Sequence, residues 1–204
     1  MIIKKLTIVS IFLLLFSQNT FAKEQTKTEG YYVNFKVIET TLKSDTKYGS
    51  NSEKDINFSI GLDRIWNYDN ILLMAGTHYT HFDNSVAGEG TYSGTQFTLG
   101  DRYSIRGGIG YEFTKLYVYT NLEFGAMHYY KHNATNDNSV KSDWNGGLGL
   151  SLGTGIHITQ NADLILEYEM NENTVRGVNN NNSTGGGTMT FPYEMLKVGV
   201  AYRF

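Results

Sequence analysis

The chain has 204 residues, no cysteine, a single proline and a formal net charge of −3 at pH 7. The lack of cysteine excludes disulfides and zinc–thiolate sites, and the weakly acidic balance gives no indication of nucleic-acid binding. Its 22 glycines, 15 tyrosines and 11 phenylalanines accompany a mean hydropathy of −0.33, which is typical of β-strands that have one apolar and one polar face.

The first 22 residues have the pattern of a secretory signal peptide. Lys4 and Lys5 precede an apolar run at 6–16, and Thr20-Phe21-Ala22 places small residues where signal peptidase reads them. The run is shorter than the ~20 apolar residues of a transmembrane helix. Cleavage after Ala22 leaves 204 − 22 = 182 residues with a formal charge of −3 − 2 = −5, because the segment holds two lysines and no acid.

Eight segments with apolar and polar residues at period two follow, and each predicts a β-strand with unlike faces. In the third segment Ile71-Leu72-Leu73-Met74 is apolar on both faces, and we assign Leu73 and Tyr79 to the apolar side. In the fourth, the odd-numbered residues, including Leu99, form the apolar face, which only Asp101 interrupts. The segments are 31–37, 56–63, 71–82, 97–113, 116–126, 144–158, 162–171 and 191–204.

Short and long connections alternate strictly between these segments, which indicates an up-and-down meander. The long polar connections are 43–54, 83–94, 131–141 and 172–190, and the short turns are 67–70, 114–115 and 159–161. We therefore predict an all-β fold, an eight-stranded antiparallel transmembrane β-barrel at 30–204, with a short periplasmic segment at 23–29. Short turns and termini would face the periplasm and long loops the exterior.

Alternation alone also fits a soluble, lipocalin-like barrel, in which the apolar face would point inward. The charged residues of the polar face fit the membrane form, because a closed barrel in lipid turns its polar face to the lumen, and the aromatic residues at the strand ends argue against the soluble form. We predict a lumen charge network in which Arg106 and Lys197 are the main cations and Glu123 and Glu167 the main partners. The full predicted set is Arg106, Glu112, Glu123, Glu167, Glu169 and Lys197.

Aromatic residues fall at both ends of the predicted strands, as in the aromatic girdles at two membrane interfaces. Tyr193 is also placed near the outer ends. The predicted girdle is Trp66, Tyr111, Phe113, Tyr129 and Trp144. We expect outer-membrane lipids as partners and the outer membrane of a Gram-negative bacterium as the location.

The chain ends on the alternating stretch KVGVAYRF. With the signal peptide and the meander, this ending resembles the small outer-membrane barrel families of the OmpA transmembrane domain and the opacity, or porin-like, surface proteins. In those families the outer-membrane assembly machinery recognises a last strand with a terminal Phe. The resemblance implies that Val198, Val200, Tyr202 and Phe204 serve as assembly signal and interfacial anchor.

The interior of an eight-stranded barrel is just wide enough for side chains to fill, so we expect a plugged lumen and no cofactor. The favoured role is structural or surface interaction through the four long loops, with an unknown surface ligand. A small or gated channel is the alternative, and a lipid A-modifying enzyme is less favoured. Lipid A deacylases use a His-x-Ser element, and His78-Tyr79-Thr80 is its nearest approach here. The scatter of the histidines also argues against a metal site, since only His78 and His128, on different strands, could converge on one.

Overall fold

The computed structural model describes residues 28–42, 54–83, 85–87, 95–133, 139–141, 144–178 and 187–204. The predicted signal peptide and most of the segment 23–29 lie outside these residues. Among the residues described, no helix has the length and apolar character to cross a bilayer. The strands are β1 (Gly30–Leu42), β2 (Lys54–Tyr68), β3 (Ile71–His81), β4 (Ser85–Ala87), β5 (Thr95–Glu112), β6 (Leu116–Asn133), β7 (Ser139–Lys141), β8 (Asn145–His157), β9 (Ala162–Val178) and β10 (Gly187–Arg203).

Eight of the strands form a closed antiparallel barrel, as the alternation predicts. The order runs from β5 through β3, β2, β1, β10, β9 and β8 to β6, and β5 pairs with β6 to close the sheet. The short strands β4 and β7 pair with β5 and β6. The first and last strands meet from Tyr32↔Arg203 to Leu42↔Tyr193, so no barrel strand keeps a free edge.

The strands are tilted, and the pairing register gives the extent. Arg64 pairs directly with Tyr31 of β1 on one side. On its other side, a row of directly paired residues can be followed from Arg64 around the barrel, and this row reaches β1 at Thr41. The ten-residue offset is the shear, and with eight strands it corresponds to a tilt of about 40°. The row is Arg64, Ala75, Gly107, Leu122, Leu150, Met170, Glu194 and Thr41.

The apolar face points outward, the reverse of a soluble barrel. Leu122, Leu148 and Leu152 are 69%, 67% and 66% exposed, and this surface would be covered by lipid. In β3 Leu73 is exposed and Leu72 buried, which confirms the phase assigned from sequence.

The structure corrects three sequence expectations. Leu99 is buried rather than outward, because the β5–β6 register shifts between Leu99 and Arg102 and the single extra residue on β5 reverses the facing of the strand end. Tyr193 is 1% exposed and packs edge-on against Phe82, whose ring centroid is 5.6 Å away, so it belongs to the interior. The predicted loop 172–190 is mostly strand, since β9 and β10 continue to pair along it.

Candidate functional site

Arg106 lies at the centre of the barrel interior. Its Nε and Nη2 donate to the two carboxylate oxygens of Asp63 at 2.9 and 2.6 Å, and Nη1 donates to Oε2 of Glu167 at 2.9 Å. Asp63 also accepts from Asn34 at 2.5 Å and contacts Nε2 of His78 at 3.0 Å. The planar guanidinium is therefore held in a two-pronged pairing with one carboxylate while it reaches a second across the lumen.

Glu167 is the acceptor on which three cations converge. Besides Arg106, Lys36 donates to it at 2.9 Å and the ammonium of Lys197 lies 3.0 Å from Oε1. The hydroxyl of Tyr119 donates to Oε2 at 2.8 Å. Glu167 is completely buried, so this dense coordination replaces the water that the carboxylate gives up.

A second cluster lies toward the extracellular end. Arg102 contacts Glu123 at 2.8 Å and Glu169 at 3.1 Å, and donates to Oδ1 of Asn171 at 2.7 Å. Lys197 contacts Glu169 as well as Glu167 and so joins the two clusters. We call the joined clusters the lumen network: Lys36, Asp63, Arg102, Arg106, Glu123, Glu167, Glu169 and Lys197. Its four formal positive charges balance its four negative ones.

Two glycines of β8 make room for the tyrosines of β6. Tyr119 lies over Gly153 and Tyr117 over Gly155, so closely that a Cβ at either glycine would overlap the ring. The rings come from the neighbouring strand, with which these glycines pair directly, and not from across the barrel. The arrangement carries the Tyr119 hydroxyl to Glu167 and the Tyr117 hydroxyl to Asp163, 3.2 Å away.

An apolar layer crosses the lumen below the network, a feature that a polar interior does not predict. Its members come from six strands, and each is at most 6% exposed. They are Tyr32, Ile65, Leu72, Met74, Tyr117, Tyr119, Ile165 and Ala201. Where this layer meets the network, a cavity of 10 Å³ remains, about the space of a single water molecule.

A polar cluster closes the periplasmic mouth. The backbone N–H and the hydroxyl of Thr28 both donate to Oε1 of Glu112 at 2.6 Å, and Thr28 Oγ1 lies 3.2 Å from Nε2 of His157. Asn67 also donates to Glu112, and Nδ1 of His157 lies 2.7 Å from Asp163. Thr28, two residues ahead of β1, is fully buried, so the chain just before the first strand is held inside the mouth.

His157 is the last residue of β8 and lies at the level of the Lys115 turn, whose carbonyl accepts from its backbone N–H. Burial alone would lower the pKa of its imidazole. The hydrogen bond to Asp163 and the negative charges of Asp163 and Glu112 outweigh burial, so the pKa is raised above its usual value.

Five of the six residues predicted for the lumen network lie in it. They are Arg106, Glu123, Glu167, Glu169 and Lys197. Glu112 is buried but belongs to the mouth cluster. The prediction omitted Lys36, Asp63 and Arg102, although their place on the polar faces of β1, β2 and β5 carried the same signal.

Aromatic side chains cluster at the periplasmic rim, where Tyr111 and Phe113 are 5.1 Å apart and Tyr31 stacks on Phe204 at 6.1 Å. Trp66 lies at this end too, beside Arg64. At the other end the ring centroids of Trp144 and Tyr103 are 5.5 Å apart. The side chain of Tyr129 lies outside the described part of the chain. Val198, Val200, Tyr202 and Phe204 share the outward face of the last strand and its end.

The two histidines predicted to be able to converge, His78 and His128, each contact a protein side chain. His78 is bound to Asp63, and the ring of His128 packs edge-on against Trp144 with centroids 4.7 Å apart. No group of three metal-ligating side chains occurs within the ranges that the structure describes.

A closed barrel with an apolar exterior and a charged interior defines an integral outer-membrane protein of a Gram-negative bacterium. The model of the outer membrane protein beta-barrel domain family matches residues 8–204, and the chain belongs to this family. A search of curated proteins finds no match.

Solved structures share the fold. Neisserial surface protein A is 20% identical, with a TM-score of 0.54 over 86% of this chain and 97% of that chain. Ail, the attachment invasion locus protein of Yersinia pestis, solved in complex with the heparin analogue sucrose octasulfate, is 13% identical, with a TM-score of 0.56 over 87% of this chain and 100% of that chain.

Proposed function

We propose that this protein is a non-conducting outer-membrane barrel that acts at the cell surface through its long extracellular loops. The observation that carries the proposal is the lumen network, in which four cations and four anions pair with one another across the full width of the interior. An ion crossing the barrel would have to separate buried pairs, which is energetically costly.

The apolar layer supports the same conclusion independently. It lies in series with the network, and the cavity beside it has room for only about one water molecule. A conducting path would need both layers to open together. The loops, rather than the lumen, are then the part of the molecule available for recognition.

The net charge of the four long connections between the barrel strands favours an uncharged or cationic ligand. Residues 43–53, 82–94, 134–144 and 179–186 contain three lysines and six acidic residues, a balance of 3 − 6 = −3. Ail was solved with a heparin analogue, but a sulfated polyanion would be repelled by an acidic loop set. We therefore expect the surface ligand of this chain to differ from heparin in charge.

Single-channel recording in a planar bilayer tests the proposal. The folded barrel, verified by its heat-dependent mobility on a gel, should give no stable current steps. Reproducible steps would overturn it in favour of the small-channel alternative. A heparin-affinity column run beside it should retain Ail and not this protein, and retention of both at physiological salt would contradict the loop-charge argument.

A further inference from the structure

The lipid-facing surface carries an arginine near its periplasmic edge. Arg64 follows Ile60 and Leu62 on the outward face of β2, and its side chain is 26% exposed. Its strand ends four residues later in a tight turn at Asp69 and Asn70, both with positive φ. An outward cation is costly in the middle of the hydrocarbon and nearly neutral at the interface, which is where this position lies.

Two aromatic rings hold the guanidinium in place. Its Cζ lies 4.9 Å from the ring centroid of Tyr31 and 5.4 Å from that of Trp66. Tyr31 in turn stacks on the C-terminal Phe204. A guanidinium fixed between ring faces loses less conformational freedom when it binds a ligand than one that is free in solvent.

The charge of Arg64 is only weakly compensated within the described chain. Its one acidic neighbour there is Glu29, with an N–O distance of 3.7 Å and a side chain that is 50% exposed. By contrast, Arg102 and Arg106 each contact two carboxylates at 2.6–3.1 Å. Most of the five N–H donors of Arg64 are therefore available to an anion at the membrane surface.

Two small residues leave a shallow depression in the outward surface beside Arg64. Its neighbours along the pairing row are Ala75 and Gly107, both exposed, and a Cβ at Gly107 would have only one neighbour, the carbonyl oxygen of Met74 at 3.8 Å. Larger outward side chains flank the two small residues. The pair Leu73 and Ile109 lies on one side of them, and the pair Thr77 and Ile105 lies on the other.

The direction of this depression follows from the tilt of the barrel. The row from Arg64 through Ala75 and Gly107 climbs toward the extracellular side, because it reaches β1 at Thr41 and not at Tyr31. A chain that starts at Arg64 and follows the depression therefore runs from the periplasmic interface into the hydrocarbon. A glycerophospholipid has this shape, with an anionic phosphodiester at one end and an acyl chain at the other.

We propose that Arg64, clamped by Tyr31 and Trp66, binds the phosphodiester of an anionic glycerophospholipid of the periplasmic leaflet, whose acyl chain lies over Ala75 and Gly107. The contact would be a charge-assisted hydrogen bond between the guanidinium and the phosphodiester. This assigns one defined lipid position to a surface that is otherwise only generally apolar.

The two tryptophans of the chain lie at opposite ends of the barrel and supply the test. In full-length protein purified from outer membranes, Trp144→Phe leaves Trp66 as the reporter, and its ring lies directly beside the guanidinium of Arg64. Quenching of Trp66 is measured in mixed bilayers that contain either phosphatidylglycerol or phosphatidylcholine with brominated acyl chains. We expect a binding constant about fivefold higher for phosphatidylglycerol, the effect of roughly one interfacial cation.

Arg64→Gln should abolish this preference, whereas Lys115→Gln, which removes an exposed cation on a neighbouring periplasmic turn, should keep it. The Trp66→Phe protein, which reports from Trp144, should show no preference. Equal preference in the parent and Arg64→Gln proteins, with folding confirmed by heat-dependent mobility, would overturn the proposal. Gly107→Leu fills the depression and should weaken the preference for phosphatidylglycerol. An unchanged preference would show that the acyl chain does not lie over Ala75 and Gly107.

Discussion

Arg106 and Glu123 are direct neighbours across the β5–β6 ladder, yet their charged groups pair elsewhere. Arg106 binds Asp63 and Glu167, and Glu123 contacts Arg102 at 2.8 Å, two inward positions farther along β5, beyond Ser104. The tilt of the strands carries long side chains past their nearest partners in register. The lumen network is thus built from contacts across the barrel as well as along the ladder.

Replacing Arg106 with methionine should lower the free energy of unfolding by about 3–5 kcal/mol, because Asp63 and Glu167 would each lose a buried partner. Urea titration of the folded barrel in lipid vesicles measures the change. Asp63→Asn in the same chain should recover part of the loss, whereas Lys115→Met, an exposed turn position, should have little effect. If Lys115→Met and Arg106→Met have the same free energy of unfolding, the network is not a source of stability.

Leu150→Arg places a charge on the outward surface near the middle of β8, where Leu150 is 47% exposed. We expect a loss of about 2–4 kcal/mol, the depth-dependent cost of a cation near the bilayer midplane. Equilibrium unfolding from vesicles is again the measurement. Leu150→Ala is the size control and should cost less than the arginine variant. Equal costs would contradict the assignment of this face to lipid.

Gly153→Ala should destabilise the barrel by about 1–3 kcal/mol, since the new methyl group overlaps the ring of Tyr119. Gly107→Ala adds the same methyl group to open surface and should be nearly neutral. In a double-mutant cycle, Tyr119→Ala should remove most of the extra cost of Gly153→Ala. Additive effects in that cycle would mean that the two residues do not compete for space.

His157 predicts a pH-dependent contribution to stability. Its pKa is raised in the folded state above the ordinary 6.5, so its stabilising effect is complete below about pH 6 and disappears as pH rises through the folded-state pKa. The difference in unfolding free energy between the parent protein and His157→Gln should therefore be larger at about pH 6 than at about pH 9. The reverse order would show that neutral imidazole is the form that Asp163 and Glu112 prefer.

Deleting Phe204 should slow insertion into the outer membrane in cells while it leaves the folded barrel intact. Pulse-chase labelling with the gel-mobility assay gives the insertion rate. Phe113→Ala removes another exposed aromatic side chain at the same rim and should insert at the parental rate. Parental kinetics for the deletion would refute a role for the terminal residue as an assembly signal.

The sequence predicted the strand number, the meander and the facing of most residues, because lipid on one side and a packed lumen on the other impose period two along every strand. It did not predict the inward facing of Leu99, since a register shift reverses the facing of a strand without any change in local composition. It also could not predict that Leu72 and Met74 belong to an apolar layer in the interior, because their strand is apolar on both faces.

The pairing of charges required three-dimensional information for a different reason. Glu123 was predicted to be a main partner of the lumen cations, and its partner Arg102 was omitted from the network although it lies on the same polar face as Arg106. Which cation reaches which carboxylate depends on barrel tilt and side-chain length. A pattern that records only inward or outward facing does not contain either quantity.

The ladder between β1 and β10 joins residues from the two ends of the chain, with Tyr32 opposite Arg203. The barrel therefore cannot close until the last strand has been synthesised, and until then both terminal strands present unpaired edges that favour aggregation. Such a long-range closure is intrinsically slow. The nascent chain must consequently be kept from self-association throughout its passage to the outer membrane, and its final strand is the part whose arrival ends that exposure.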